Sequence, residues 1–339
     1  MLSCYLIANL IKCFAYNPLR SKKSMNFNDS IFVCSKPLQF FNAASIARGY
    51  GIENAKMIVV DRAISDAESF SDFVLSNYLG DLFDEVIFVS SYDEAVKEVN
   101  AAKCRNLFVE DDRVSLYYLF QKADHENLLV YEEGIGTYLG HYKYMLSWPK
   151  YFRWYLSSKL FGCGLDFGES RSTKFVFVRY PKILIWFKPK LAGKVKPIAG
   201  HISEINLLKD QLFEFCSDNF QSLFDEGKAE EDVALILGTW GGLKYEDYES
   251  ICGKSYSEIL YKPHPHDGAG IKKIADIREL AWLPAEALVL FLAEAYRKVV
   301  VYHYGSSVEF YKRDLPKNVE FYCLSSPGLR YQRIMKAAY

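Results

Sequence analysis

The sequence predicts an α/β protein of two Rossmann-like, doubly wound domains that face each other across a cleft. The chain has 339 residues, which is too long for one ordinary domain and about right for two. Short continuous apolar runs alternate with helical stretches, as in parallel sheets covered by helices on both faces. Half of the residues are hydrophobic and 24% are charged, which is typical of a folded protein. Such sheets bind ligands beyond the carboxyl ends of their strands.

The positions where this alternation begins, breaks and resumes predict the domain boundaries. We expect an N-terminal extension over residues 1–30, a first domain over 31–195, a second domain over 205–325 and a C-terminal helix over 326–339. A basic, proline-bearing segment over residues 188–196 is the predicted linker between the two domains.

In the first domain, the apolar runs are expected to form buried strands, with helices between them. The predicted strands are residues 31–34, 57–60, 86–89, 106–109 and 128–130, and the predicted helices are residues 41–48 and 92–102. Residues 174–187 read as two strand-like runs broken at Pro181. Residues 148–161 are rich in aromatic and basic side chains, which indicates either contact with lipid or a charged acceptor, or a solvated loop packed by its own aromatics.

The second domain repeats the alternation. The predicted strands are residues 233–237, 258–260, 299–301 and 319–323, and the predicted helices are residues 208–223, 284–296 and 330–338. Pro284 stands near the first turn of its helix, where a missing N–H is tolerated.

Composition excludes several classes of protein. The net charge is −1, so no global field attracts nucleic acid, and no nucleic-acid partner is expected. The eight cysteines are scattered without a Cys-x-x-Cys pair, which argues against a zinc ribbon and a disulfide scaffold. Reduced thiols in a cytoplasmic protein are the resulting prediction.

The N-terminus leaves two interpretations open. Residues 1–11 are largely apolar, and Arg20, Lys22 and Lys23 follow. A short interfacial helix with this basic flank would rest on an anionic surface, which predicts peripheral contact with the inner membrane. The alternative is an extension outside the fold, with Met25 as the true start.

Two adjacent carboxylates, Glu132 and Glu133, follow an apolar run and precede Gly134. Side chains alternate along an extended chain, so one carboxylate is expected to face the cleft while the other anchors the loop. Gly134 and Gly136 let the backbone turn. A carboxylate beside a cleft can serve as a general base. The alternative is an acidic, solvated turn.

A stiff loop with a cation follows the next candidate strand. Lys262 brings a positive charge, and His264 can donate a hydrogen bond or a proton near neutral pH. Pro263 and Pro265 fix their own φ angles. This loop suits an anionic leaving group such as a nucleotide phosphate, and the alternative is a surface turn.

Three further segments complete the candidate site. Gly305, Ser306 and Ser307 follow a buried run, and two hydroxyls with free N–H groups at a helix start form a phosphate cradle. An ordinary serine N-cap is the alternative. Glu286 can accept hydrogen bonds from ribose hydroxyls, or its negative charge can simply interact favourably with the helix dipole. A glycine-containing loop opens after residues 233–237, at Gly238 and Thr239.

These motifs, taken in order, resemble those of the bacterial sialyltransferases of the capsule polysialyltransferase and lipooligosaccharide sialyltransferase type. The matching segments are Tyr-Glu-Glu-Gly at 131–134, Lys-Pro-His-Pro at 262–265, Pro-Ala-Glu at 284–286 and Ser-Ser at 306–307. Ser35-Lys36-Pro37-Leu38-Gln39 is similar to the first strand-loop of that group, although Lys36 departs from its usual Ser/Thr-Pro-Leu-Gln pattern. The resemblance spans about residues 31–310 and leaves the middle third unmatched.

The resemblance implies an inverting GT-B glycosyltransferase that transfers sialic acid from CMP-sialic acid to a cell-surface glycan in capsule or lipooligosaccharide biosynthesis. The first domain would be the acceptor side, and the second would bind the nucleotide sugar. The implied roles are a general base for Glu133, assistance to phosphate departure for His264, phosphate binding for Ser306 and Ser307, and ribose binding for Glu286. Lys262, Pro265, Gly238, Thr239 and Gly305 complete the predicted nucleotide site, and Gln39, Glu132 and Gly134 the acceptor side. The chain lacks an Asp-x-Asp motif, which fits a reaction without a metal or other cofactor.

Other functions remain open at this point. The same fold could use Kdo, another nonulosonic acid or CDP-glycerol as the activated donor. A UDP-sugar epimerase has a similar architecture. A non-catalytic glycan-binding or scaffolding protein would use the acidic pair and the histidine only as turns.

Overall fold

The computed structural model describes residues 26–61, 67–139, 147–220, 228–238, 243–263, 283–325 and 329–338. The chain divides into two compact units. The first comprises residues 1–62 and 78–201, and the second comprises residues 63–77 and 202–339. No helix in these described ranges is long and apolar enough to cross a bilayer.

The first unit contains a seven-stranded, fully parallel sheet in the order β3-β2-β1-β4-β5-β6-β7. The strands are β1 (Ser30–Cys34), β2 (Ala55–Val60), β3 (Glu85–Val89), β4 (Cys104–Val109), β5 (His125–Tyr131), β6 (Thr173–Val178) and β7 (Val195–Pro197). The order runs outward from β1 in both directions, which is the doubly wound pattern. All five strands predicted before residue 131 are present.

The centre of this sheet is apolar because strands covered on both faces need continuous hydrophobic runs. Every residue of β1 is buried. Phe32 stacks on Phe108 of β4 with ring centroids 4.3 Å apart, and Phe27 packs edge-on against Phe177 of β6. The first pair joins the neighbouring strands β1 and β4, and the second joins the segment before β1 to β6.

The helices α1 to α8 occur between and after these strands. They are α1 (Pro37–Tyr50), α2 (Ala67–Tyr78), α3 (Tyr92–Ala102), α4 (Val114–Phe120), α5 (Gly136–Leu139), α6 (Trp148–Phe161), α7 (Pro181–Phe187) and α8 (His201–Leu207). Apart from Tyr78 and His201, the residues of α2 and α8 belong to the second unit. Helix α1 begins earlier than predicted because Pro37 occupies its first turn, and it ends at Gly51, whose φ is +58°.

In the middle of the chain, one of the two alternatives for residues 148–161 is wrong, and so is one strand assignment. Residues 148–161 form helix α6 rather than a solvated loop, with Pro149 in the first turn and Gly162 in the left-handed conformation at the C-cap, while contact of this segment with lipid or a charged acceptor stays a prediction. The second strand-like run of 174–187 is helix α7, since Pro181 starts a helix there instead of separating two strands. The predicted linker 188–196 contains a 3₁₀ turn (Pro189–Leu191) and the start of β7.

The second unit contains a four-stranded parallel sheet in the order β11-β10-β8-β9. Its strands are β8 (Asp232–Leu237), β9 (Glu258–Lys262), β10 (Lys298–His303) and β11 (Val319–Cys323), and its further helices are α9 (Lys209–Phe220), α10 (Tyr245–Cys252), α11 (Ala285–Ala295) and α12 (Leu329–Ala338). Each strand agrees with its prediction to within two residues. Two parallel sheets with helices confirm the predicted α/β fold class.

Candidate functional site

The strand order of the first unit reverses between β1 and β4, where a doubly wound sheet opens a crevice at its carboxyl edge. Ser35 follows β1 and Glu110 follows β4, and Oγ of Ser35 donates a hydrogen bond of 2.7 Å to Oε1 of Glu110. The loop after β5 carries Glu132 and Glu133. Loops after two neighbouring strands therefore bring carboxylates to one edge of the sheet.

A buried guanidinium holds Glu133. Arg113 donates from Nη2 to Oε1 of Glu133 at 2.8 Å and from Nε to Oδ1 of Asp111 at 2.6 Å. The side chain of Glu133 is 17% exposed, and that of Arg113 is 7% exposed. Oε2 of Glu133 accepts no hydrogen bond from the residues that the structure describes. One carboxylate oxygen is thus oriented, and the other can accept a proton.

The loop backbone is shaped around this carboxylate. Gly134 has a φ of +114°, which L side chains rarely adopt. A Cβ added at Gly136 would lie 3.0 Å from Oε1 of Glu133. The N–H of Glu133 donates to Oγ1 of Thr137 at 3.0 Å and closes the turn. Glycine is therefore favoured at position 134 by the backbone conformation and at position 136 by the lack of space for a side chain.

Glu132 points into the protein instead. It is fully buried, and its Oε2 accepts hydrogen bonds from the hydroxyl of Tyr138 at 2.5 Å and from the N–H of Arg179 at 2.7 Å. Its carbonyl accepts a hydrogen bond of 3.0 Å from Nδ2 of Asn42. The acidic pair thus divides as alternation requires, with Glu132 anchoring the loop and Glu133 at the edge.

Sequence reasoning missed Glu110, a third carboxylate at this edge. Glu110 is 3% exposed, and its Oε1 accepts hydrogen bonds from Ser35 and from the hydroxyl of Tyr92. Its Oε2 is buried without a hydrogen-bond partner in the described ranges. Loss of solvation raises the pKa of Glu110 to about 7, and the hydrogen bonds from Tyr92 and Ser35 oppose this rise. The signal that could have found it is an acidic run directly after an apolar strand.

The other two acids of that run position the loop. Asp111 accepts the N–H of Arg113 at 2.9 Å in addition to its guanidinium. Asp112 is fully buried and accepts hydrogen bonds from two backbone N–H groups and from Oγ1 of Thr173 at 2.7 Å. Burial raises the pKa of both carboxyl groups. Asp111 fixes Arg113, and through it the carboxylate of Glu133, while Asp112 holds the neighbouring backbone in place.

Gln39, predicted on the acceptor side, makes a hydrogen bond at the start of its own helix. Its Oε1 accepts the N–H of Ser35 at 3.0 Å, and the residue is 1% exposed. This contact serves the start of α1, where Lys36 makes no side-chain cap hydrogen bond. An acceptor role for Gln39 stays a prediction.

In the second unit the strand order reverses between β8 and β10. The N–H of Gly238, directly after β8, donates to the carbonyl of Lys262 at the end of β9, with a distance of 2.8 Å. Gly305, Ser306 and Ser307 follow β10. Predicted nucleotide-binding residues from three strands therefore share one edge of this sheet.

Lys262 places a cation at this edge. It is half-buried, and loss of solvation lowers its pKa to about 8, with the negative charge of Glu286 opposing the shift. Glu286 is 2% exposed in the first turn of α11. Lys262 is therefore charged at neutral pH and loses its charge in mildly alkaline solution.

A buried histidine organises the turn after β10. The N–H groups of Gly305 and Ser306 both donate to Nδ1 of His303 at 3.0 Å. Because Nδ1 is the acceptor, the ring proton of the neutral imidazole is on Nε2, which lies 3.2 Å from Oε2 of Glu309. The expectation of free N–H groups is wrong for Gly305 and Ser306, since His303 already accepts both.

Donors nevertheless remain at this turn. Ser306 is the N-cap of the 3₁₀ helix Ser307–Asp314, and its Oγ accepts the N–H of Val308 at 3.3 Å, which leaves the hydroxyl hydrogen to donate elsewhere. Neither the N–H nor the hydroxyl of Ser307 makes a hydrogen bond to any residue in the described ranges. These three donors can bind an anionic group.

Three predicted site residues, Thr239, His264 and Pro265, lie outside the described residues. Their roles stay predictions.

Two surface cavities occur at other positions. One is lined by residues at the amino-terminal end of the first sheet, including Asp29, Lys56 and Arg105. The other is lined by residues near the start of β9, including Tyr248 and Ser257. Neither cavity includes a predicted site residue, and parallel sheets bind ligands at their carboxyl ends. We therefore place the candidate sites at the carboxyl edges.

No family model and no curated protein matches the sequence. The wall teichoic acid polymerase TagF, in its H548A form, is similar in structure with a TM-score of 0.49 and 11% identity over 99% of this chain and 91% of that one. The E. coli ADP-heptose lipopolysaccharide heptosyltransferase II has a TM-score of 0.42 and 8% identity over 91% and 96% of the two chains. A glycosyl transferase family 9 protein from Veillonella parvula has a TM-score of 0.37 and 11% identity over 82% and 76%. All three TM-scores lie below 0.5.

Proposed function

We propose that this chain is an inverting glycosyltransferase that moves sialic acid from CMP-sialic acid to a cell-surface glycan of the capsule or lipooligosaccharide class. In this proposal the second unit binds the cytidylate and the first unit supplies the catalytic base. The observation that carries it is the grouping of Lys262 with the donors of Ser306 and Ser307 at the carboxyl edge of one parallel sheet. The resemblance of the sequence motifs supports the choice of donor.

The edge of the second unit is suited to a single phosphate. This edge carries the ammonium of Lys262 together with three hydrogen-bond donors from Ser306 and Ser307. A half-buried ammonium attracts a phosphate more strongly than one in bulk water, because the local dielectric is lower. Charge that develops on the departing CMP phosphate would be stabilised by these groups in the transition state. His264 is assigned to the same step by the sequence pattern of its loop and by the motif resemblance.

Glu133 suits the role of general base for the acceptor hydroxyl. A base needs an ionised oxygen within reach of the proton, held in a defined orientation. Oε1 is oriented by Arg113, while Oε2 accepts no hydrogen bond from the described residues. Buried Glu132 lacks such access, since Tyr138 and Arg179 already donate to it.

Glu286 has two compatible roles in the donor site. It is proposed to accept hydrogen bonds from the ribose, as the motif resemblance implies. Its negative charge also opposes the lowering of the pKa of Lys262, and so favours the charged ammonium that a phosphate needs. Loss of Glu286 would therefore weaken nucleotide binding by both routes.

The chemistry fits a site without a Lewis acid. The anomeric carbon of sialic acid is tertiary, so the transition state of the transfer resembles an oxocarbenium ion with little bonding to the nucleophile. A monophosphate leaving group carries less charge than a diphosphate. Unchanged turnover in the presence of EDTA is the expected result, and strict dependence on an added divalent cation would contradict this part of the proposal.

Nucleotide binding is the first experiment. Calorimetric titration with CMP, CDP and UDP should give the tightest binding with CMP, and thermal shifts should follow the same order. Lys262→Ala and Ser307→Ala should weaken CMP binding about tenfold or more, as expected for loss of a charged or neutral donor to phosphate. Ser250→Ala, an exposed serine of the same unit, is the matched control and should bind as the wild type does.

The alternatives separate in the same titration. Preference for CDP would favour a CDP-activated donor such as CDP-glycerol, and binding of UDP without CMP would exclude the proposal. Absence of nucleotide binding, combined with glycan binding, would indicate the non-catalytic function. Kdo and other nonulosonic acids are distinguished by assaying their CMP esters as donors.

A further inference from the structure

Helix α6 (Trp148–Phe161) differs from the neighbouring helices because none of its residues is buried. Five apolar side chains on its outer face are between 38% and 74% exposed: Trp148, Phe152, Tyr155, Leu156 and Leu160. Four of them recur every fourth residue, and Tyr155 lies three residues after Phe152, which places all five on one stripe of the helix. A contiguous exposed apolar stripe of this kind marks an interaction surface.

The inner face of α6 is firmly attached to the first unit. Trp154 packs against Tyr117 and Cys163, and the hydroxyl of Tyr117 donates to the carbonyl of Phe161 at 3.2 Å. The N–H of Gly162 caps the helix by donating to the carbonyl of Ser158 at 3.0 Å. The outer stripe is therefore presented by an anchored helix.

The charges of α6 all have one sign. Lys150, Arg153 and Lys159 are its charged residues, and it contains no aspartate or glutamate. The whole chain has 42 acidic and 41 basic residues, so this segment departs from the overall balance. The three cations are exposed, and the ammonium of Lys159 lies 5.4 Å from the ring of Tyr155.

We propose that α6 is an interfacial helix that binds the first unit to an anionic lipid bilayer. Tryptophan and tyrosine are favoured at the boundary between lipid headgroups and acyl chains, and the apolar stripe would enter that boundary. Lysine and arginine stems extend along apolar surface while their charged ends reach the headgroup phosphates. At 14 residues the helix is about 21 Å long and lies along the surface.

A bilayer explains these observations better than a second protein does. Anionic lipid supplies a continuous negative surface that matches three cations without an acid, whereas protein surfaces present mixed charge. The aromatic rings of Trp148, Tyr151 and Phe152 lie side by side, with centroids 6.2 Å apart from Trp148 to each neighbour. A contiguous exposed group of this kind is typical of an interaction site. The proposal is independent of which nucleotide the second unit binds.

Vesicle flotation tests the proposal on the full chain. Wild type should float with vesicles of phosphatidylglycerol and phosphatidylethanolamine, and should not float with phosphatidylcholine alone. Raising the salt from about 0.05 M to about 0.5 M should release it, because added salt screens the charges. Each basic residue replaced by glutamine, at Lys150, Arg153 and Lys159, should lower partitioning about fivefold.

A double variant, Trp148→Ser with Leu160→Ser, tests the apolar stripe. Partitioning should fall by on the order of a hundredfold, while circular dichroism and melting temperature stay unchanged because both side chains are exposed. Leu79→Ser with Leu207→Ser is the matched control, since these leucines are 46% and 55% exposed outside α6. The control should float as the wild type does.

Three results would overturn the proposal. The first is no flotation of wild type on anionic vesicles. The second is equal flotation of the control and the Trp148→Ser/Leu160→Ser variant. The third is a lipid-free change from dimer to monomer in that variant by analytical ultracentrifugation, which would identify α6 as a contact between copies. The three glutamine variants give an independent readout if the double variant fails to fold.

Discussion

The guanidinium of Arg113 donates a hydrogen bond of 2.8 Å to the carboxylate of Glu133, and this links the loops that follow β4 and β5. Arg113 also binds Asp111, so its orientation is fixed from its own loop. Glu133 is thereby held at the carboxyl edge of the sheet with one oxygen in use and one open to a ligand. The acidic pair is thus part of a larger arrangement that the paired glutamates alone do not reveal.

Neutralising the two glutamates should separate catalysis from stability. Glu133→Gln should lower turnover by on the order of a hundredfold or more, because a general base is lost, with little change in melting temperature. Glu132→Gln should lower the free energy of unfolding by about 1–3 kcal/mol, since Tyr138 and the N–H of Arg179 both donate to this buried carboxylate. Steady-state kinetics and urea unfolding of both variants measure the two effects.

The opposite result would exchange the catalytic and structural roles of Glu133 and Glu132. If Glu133→Gln kept wild-type turnover while Glu132→Gln abolished it in a folded protein, Glu132 rather than Glu133 would be the base.

Gly136 should prove sensitive for a steric reason. Gly136→Ala places a methyl group 3.0 Å from Oε1 of Glu133, so the carboxylate must move by a few tenths of an ångström. We expect turnover to fall about tenfold with an unchanged melting temperature, because a displacement of about 1 Å can cost a hundredfold. Gly193→Ala, which meets nothing within 4 Å, is the control and should retain full activity.

Donor binding should weaken above about pH 8. Burial lowers the pKa of Lys262 from its ordinary 10.5 to about 8, so the ammonium is charged at pH 7 and mostly neutral at pH 9. If binding requires the charged form, the affinity for CMP should fall by up to about tenfold per pH unit above this pKa. Calorimetric titration between about pH 7 and about pH 9.5 measures the slope.

Lys262→Arg provides the corresponding control, because a guanidinium stays charged throughout this range. The alkaline loss of affinity should disappear in this variant and persist in Lys317→Arg, where the lysine is exposed. The same slope in all three proteins would mean that another group titrates.

Glu110 should make the folded state less stable as the pH rises. Its carboxyl group has a pKa of about 7 in the folded protein and an ordinary value of 4.5. Between these values the folded state keeps a proton that the unfolded state releases, so stability is full below pH 4.5 and is lost as the pH rises through about 7. The loss amounts to on the order of 3 kcal/mol for a shift of this size.

Glu110→Gln should remove that dependence. The difference in free energy of unfolding between the variant and wild type should move in favour of the variant from about pH 5 to about pH 8, by urea unfolding at several pH values. Exposed Glu126→Gln should track the wild type at every pH. A pH-independent difference for Glu110→Gln would place an ordinary carboxylate at that position.

The sequence contained enough information for the sheets and for much of the two edges. Buried runs such as 31–34 and 299–301 have no plausible alternative to strands, because they are short, apolar and bounded by turn residues. The alternation of side chains along an extended chain was sufficient to expect different fates for Glu132 and Glu133. Both inferences depend on local geometry, which sequence patterns encode directly.

Features that depend on contacts between residues distant in sequence could not be predicted in full from local sequence patterns. The acidic run after β4 marks Glu110 in the sequence, but its hydrogen bond from Ser35 forms only because β1 pairs with β4. His303 takes the N–H groups of Gly305 and Ser306 because the turn after β10 folds back over its ring. The sequence pattern did not distinguish helix α6 from a solvated loop, because its apolar residues face outward and the usual expectation of a buried helix face did not apply.

Transfer of labelled sialic acid from CMP-sialic acid to a lipooligosaccharide or capsule acceptor is the most direct test of the central claim. Wild type should release CMP in step with acceptor labelling, and Glu133→Gln should slow both by a hundredfold or more. No transfer from CMP-sialic acid by a folded wild-type protein, with turnover of a CDP- or UDP-activated donor instead, would contradict the claim.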